Sequence, residues 1–111
     1  LDGYDEISLT GPAKYISERG EGLISPSELG LETVQAAELS GGTSVEDAAR
    51  IFTDVLENRG TSAQTQAVLA NAGLAIYTHR GNLSLLEAVA AARESLESGA
   101  AKRSFTAFLA A

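Results

Sequence analysis

The stretch that most limits the fold is Ala67 to Tyr77, "AVLANAGLAIY". Wound as a helix, it is apolar almost all the way round, with Asn71 and Gly73 the exceptions. A helix lacking a polar face is a buried helix, and Gly73 with its flanking alanines suits close backbone contact. The rest of the chain is poorly equipped to cover it. Of 111 residues 44% are apolar, but aromatics make up only 5%, and Trp, Met and Cys are absent. Small side chains bury little area each, at ~25 cal/mol per Å², so the core of one domain of this length is modest. The chain is expected to lean on a partner or on another part of itself. Lacking Met and starting at Leu1, it reads as a piece of a longer protein, cut by proteolysis or by design.

Punctuation residues divide the chain in two. Residues 1–24 read as a strand and hairpin region: Ile7-Ser8-Leu9-Thr10 alternates apolar and polar as a half-buried strand does. Gly11-Pro12 interrupts it, and Lys14 to Ser17 resumes before the turn "SERGEG" and the return at Leu23-Ile24. "SPSE", Ser25 to Glu28, starts a helix that Gly30 limits to a single turn. "LSGGTS", Leu39 to Ser44, is a loop. Residues 44–111 read as a helical layer. The first helix is expected from Val45 to Arg59, with Ser44 and Asp47 as its cap and Val45, Ala48, Ala49, Phe52, Val55 and Leu56 as its apolar stripe, stopped by Gly60. The second runs from Ala63 to Arg80, and the third from the Ser84–Glu87 capping box to Ser98. An amphipathic end segment carries Phe105, Phe108 and Leu109.

Little in this chain supports nucleophilic chemistry. Without Cys there is neither a disulfide nor a thiolate. The single His79 sits in the last turn of the second helix, where a cationic side chain suits the negative helix end. Gly41-Gly42 is too short for a phosphate-cradling loop and lacks its Lys. Asn71 is expected to satisfy neighbouring backbone, and Tyr77 to be core. The net charge of -7 opposes binding to nucleic acid or an anionic membrane. No apolar run is long enough to span a bilayer. A cytoplasmic setting is the expectation.

The adjacent carboxylates Asp5 and Glu6, in "GYDEISLTGP", are a weak signal alone, since acidic pairs are common on surfaces. Strand neighbours point to opposite faces, so both reach one site only where the chain bends, and Gly3 makes a bend cheap. Two hard oxygen ligands at a strand entrance suit Mg²⁺ on a phosphorylated substrate, with waters and phosphate completing its octahedron.

"GYDEISLTGPAK", "ISPSELGL", "SGGTSVEDAARIF" and "VLANAGLAIY", in this order along essentially the whole chain, closely resemble the carboxy-terminal part of the anthranilate phosphoribosyltransferase family. The resemblance implies an α+β piece, a β-hairpin followed by three to four helices. That piece would belong to the large α/β domain of a nucleoside phosphorylase/phosphoribosyltransferase-type fold. It also implies the reaction: transfer of the phosphoribosyl group of phosphoribosyl pyrophosphate to the nitrogen of anthranilate, in tryptophan biosynthesis. Carried over residue by residue, Asp5 and Glu6 become Mg²⁺ ligands, with Glu6 the better placed for two ions. Tyr4 replaces a common Leu, and Asn71, Ala72, Gly73, Ala75 and Tyr77 match a helix that carries over as packing. The family's Gly-rich pyrophosphate loop, its Lys-His-Gly-Asn motif, the Arg and Asn that hold anthranilate and its dimer-forming amino-terminal helices have no counterpart here. The chain alone is therefore expected to be inactive, and the complete enzyme to be a homodimer. Two other readings stay open: a non-catalytic homologue binding nucleic acid, and a self-standing helical interaction module.

Overall fold

In a computed structural model, which describes residues 6–111, two strands are followed by four helices. β1 (Ala13–Ser17) and β2 (Gly20–Ile24) pair antiparallel, Ala13 opposite Ile24 and Ser17 opposite Gly20, so that Glu18 and Arg19 form a two-residue turn. The hairpin is where the alternation and the turn composition place it. Ile7–Thr10 differs: it pairs with no strand among the described residues, and Leu9 takes a left-handed backbone (φ 67°). That conformation reverses the alternation on which a strand reading depends.

Pro26–Leu29 is the single helical turn expected, wound as a 3-10 helix and closed by Gly30. Ser25 donates from both its backbone N–H and its hydroxyl to Glu28 Oε1, at 3.2 and 2.8 Å. A second such turn, Ala36–Leu39, has no signal in the sequence pattern; Glu38 accepts there from the Gln35 N–H at 2.8 Å. Leu29, at the end of the first turn, and Leu31 and Val34, between the two turns, drop into the core.

The helices are α1 (Val45–Leu56), α2 (Ser62–Arg80), α3 (Leu85–Glu97) and α4 (Ala100–Ala110). Side-chain caps hold the first three starts, Ser44 for α1, Thr61 for α2 and Ser84 for α3. α1 ends three residues earlier than the glycine spacing predicts. Asn58, not Gly60, takes the left-handed position (φ 62°). Its N–H donates to the Val55 carbonyl (3.1 Å), and the Arg59 N–H donates to the Asp54 carbonyl (2.7 Å). These are the two bonds of a Schellman ending. The Asn58 side chain also donates to the Leu96 carbonyl at 3.2 Å, tying the end of α1 to that of α3. A glycine could make the turn but not that bond.

The core lies along the α2–α3 seam, where Leu69, Ala70, Ala88, Val89, Ala92 and Leu96 are buried and Leu9, Ile24, Leu29 and Leu31 close one side. Gly73 permits the approach: a Cβ there would stand 2.7 Å from Val89 Cγ2 and 3.1 Å from Val89 Cα. Burial all round α2, which its composition predicts, is not what these residues achieve. Val68 is 45% exposed, Tyr77 is 37% exposed and Ala75 is exposed, so part of the apolar circumference faces outward.

Candidate functional site

The segment after the acidic doublet is fastened to α2 by one side chain. The Ile7 N–H donates to Asn71 Oδ1 at 2.9 Å, and Asn71 Nδ2 donates to the Ile7 carbonyl at 2.7 Å and to the Ala67 carbonyl at 2.9 Å. The carboxamide thus serves both backbone groups of Ile7, as a neighbouring strand would. The sequence predicts that Asn71 bonds neighbouring backbone, and the Ala67 bond fits that. A partner 64 residues away has no trace in helical spacing.

Beyond Ile7 the chain turns inward. Ser8 is buried, its hydroxyl lies 2.8 Å from that of Thr10, and it accepts from the Thr10 N–H at 3.3 Å. Leu9 is fully buried, and its carbonyl accepts from the Val34 N–H at 2.9 Å. A left-handed Leu costs roughly 1–3 kcal/mol, sustained here by burial of the side chain and by the contacts on either side. The segment is therefore fixed at Ile7 by α2 and at Leu9 by the core.

Glu6, Ile7, Ser8 and Asn71 share a cleft of about 550 Å³ with Leu39, Ala67, Val68 and Ala72. Glu6 is exposed at this cleft and joins none of the ion pairs among the described residues. Asp5, the other predicted ligand, lies outside the described residues. Among those described, no three His, Cys, Asp or Glu side chains gather closely enough to enclose a metal ion. Mg²⁺ does not need such a cage: it keeps several waters and takes one or two carboxylates plus substrate phosphates. A solvated carboxylate at the mouth of a cleft fits that habit.

The other candidates lie elsewhere. His79 is exposed near the carboxy end of α2. Tyr77 lines a separate groove with Tyr15, Leu74 and Leu85. A second cleft of about 440 Å³, between α1, α2 and α3, is lined by Ile51, Phe52, Val55, Val68 and Ala72 among others and bears no ionisable side chain. Carboxylates with lowered pKa values mark helix starts instead. Glu28 is held down by the hydroxyl and N–H of Ser25. Asp47 is lowered by the Thr43 N–H and by Arg50, and Glu87 by the N–H and hydroxyl of Ser84. No helix among the described residues is long and apolar enough to cross a membrane.

Residues 1–102 match the glycosyl transferase family, a/b domain. The anthranilate phosphoribosyltransferase of Cytophaga hutchinsonii is 59% identical over 105 residues, covering 95% of this chain and 32% of its own length. That of Phocaeicola vulgatus is 49% identical over 109 residues, covering 98% and 33%. The crystal structure of anthranilate phosphoribosyltransferase from Thermus thermophilus superposes with a TM-score of 0.84 at 33% identity, over all of this chain and 34% of that one. The chain spans about a third of the length of these relatives. With a family match over residues 1–102 and a superposition over the whole chain, the chain belongs to the glycosyl transferase family, as part of its a/b domain.

Proposed function

We propose that this chain is the carboxy-terminal, metal-binding part of a transferase that moves the phosphoribosyl group of phosphoribosyl pyrophosphate onto the nitrogen of anthranilate. The reading rests on the names of the relatives that match along nearly the whole chain. Asp5 and Glu6 hold Mg²⁺ in this proposal, with Glu6 presented at the cleft mouth by the Ile7–Asn71 pairing. When bound, Mg²⁺ supplies positive charge to balance that on the departing pyrophosphate. The chain's own residues position that charge and provide a scaffold; no general base is assigned to them. In this proposal the grips on pyrophosphate and anthranilate come from the rest of the complete enzyme, and a cytoplasmic setting suits it.

The test is a chimera in which this chain replaces the matching third of the Cytophaga hutchinsonii enzyme. The chimera should make phosphoribosyl anthranilate from anthranilate and phosphoribosyl pyrophosphate, and the chain by itself should not. Glu6→Gln in the chimera should raise the Mg²⁺ concentration needed for half-maximal rate. A folded but inactive chimera would overturn the transferase reading; an unchanged Mg²⁺ requirement would remove Glu6 from the metal.

A further inference from the structure

Asn71 is the one strongly polar side chain within the otherwise apolar stretch of α2, and three of its bonding positions are taken by main chain. Bonding Ala67, one turn back, would satisfy part of the amide wherever the helix lay. The two bonds to Ile7 do something else: they fix the height and rotation of the peptide units flanking the residue next to Glu6. Ile7 N belongs to the same peptide unit as the Glu6 carbonyl, so holding that unit limits where the Glu6 Cα stands. Beyond it, Ser8 and Leu9 are buried, and the Leu9 carbonyl accepts from Val34. Asn71 and Glu6 also line the same cleft.

We infer that Asn71 is a positioning residue for the metal-binding carboxylate, acting through the Ile7 backbone without touching the ion. The inference builds on the metal reading above. Mg²⁺ accepts little departure from octahedral geometry, so an exposed carboxylate serves it only if the backbone beneath is held still. The clamp does this from a fixed point on α2, since Leu69 and Ala70, the residues just before Asn71, are buried in the core at 1% and 0% exposure. Removing such an outer support typically lowers metal affinity ~10–100-fold.

The experiment uses the chimera, with Mn²⁺ plus inorganic pyrophosphate as probe and electron paramagnetic resonance as the binding readout, so no turnover is required. Asn71→Ala should weaken Mn²⁺ binding ~10-fold or more and raise the Mg²⁺ midpoint of activity by a similar factor, with kcat recovering at saturating Mg²⁺. Asn71→Ser stays uncharged and can still bond the Ala67 carbonyl but is too short to serve both backbone groups of Ile7; it should shift binding in the same direction and serves if the Ala variant does not fold. Val89→Ala loosens the α2–α3 seam without touching Ile7 and should leave Mn²⁺ affinity as it was. Unaltered Mn²⁺ binding in the Asn71 variants, with Glu6→Gln weakened, would overturn the positioning role alone. Unaltered binding in Glu6→Gln as well would overturn the metal reading beneath it. Equal weakening in Val89→Ala would reduce Asn71 to a general stabiliser and would also overturn the inference.

Discussion

α1 and α3 begin alike and fare differently. Each starts at a Ser cap, carries an acidic residue at the third position and shows an apolar stripe at helical spacing. Along α3 that stripe is consumed: Ala88, Val89, Ala92 and Leu96 are all 5% exposed or less, against α2. Along α1 only Val55 is buried, while Val45 is 83% and Phe52 51% exposed, and a cleft of about 440 Å³ stands between this helix and α2. The difference comes from shape. α3 meets Gly73 and small side chains that let backbones approach, whereas α1 touches its neighbours mainly at its end, through Val55, Asn58 and the edge-on contact of Phe52 with Phe105 (5.0 Å between centroids). An amphipathic stripe says that a face seeks cover; it does not say what covers it.

The largest expected effect separates these two regions directly. Leu69 is 1% exposed at the α2–α3 seam, and truncation to Ala should cost about 2–5 kcal/mol, the range for buried Leu. Phe52→Ala, although it removes a bulkier group, should cost closer to ~1 kcal/mol, since half the ring is already solvated and the edge contact contributes only ~0.5–1.5 kcal/mol beyond burial. Urea unfolding of the two variants measures both. If Phe52→Ala proves the more damaging, α1 is as much a part of the core as α3, and the contrast fails.

Gly73→Ala tests the cause of the contrast. Replacing a helix-interior Gly by Ala gains ~1 kcal/mol of propensity. The new methyl would meet Val89 Cγ2 at 2.7 Å and, less forgivingly, its Cα at 3.1 Å. Overpacking of this kind costs ~1–3 kcal/mol, and backbone cannot swing aside as a side chain can. The overpacking should win, for a net loss of about 1 kcal/mol in the same unfolding measurement. A gain in stability would mean that the seam has slack and that Gly73 is not what sets it.

How much of this is legible in the sequence follows from where each determinant lies. The hairpin, the Ser25–Glu28 turn and the Ser44 and Ser84 helix starts are local, encoded within a few residues, and they appear where spacing puts them. The Thr61 cap, which starts α2 one residue before Ala63, is not among the sequence expectations. The early end of α1 involves Asn58 reaching Leu96, and the left-handed Leu9 that breaks the Ile7–Thr10 strand is held by its burial and by the Val34 N–H on its carbonyl. Both are contacts between residues far apart in sequence, for which periodicity carries no signal. At the candidate site the doublet itself is visible as residue types, and its cleft and clamp are not. Asn71 stands out as a polar residue in an apolar helix, but only the fold names its distant partner.

The smallest expected effect is a pH dependence that differs between the two helix starts. The carboxylates of Glu87 and Asp47 are both held below their ordinary values, Glu87 by the N–H and hydroxyl of Ser84, Asp47 by the Thr43 N–H and Arg50. A carboxylate with a lowered folded pKa contributes stability that is fully present above its ordinary value near ~4. That contribution drains away as pH falls through the folded value. At α3 the start belongs to the packed seam, so freeing it should weaken the whole structure. At α1 the start is exposed and the Val45 beside it buries almost nothing, so protonation should only fray the first turn. Glu87→Gln should therefore flatten the acid decline of the urea midpoint below pH ~5. Asp47→Asn should leave that decline unchanged and appear instead as faster amide exchange at Thr43 and Asp47. If Asp47→Asn flattened the global transition as much as Glu87→Gln, the amino end of α1 would be unfolding together with the core, and the distinction between a packed helix and one laid loosely over it would have no thermodynamic content.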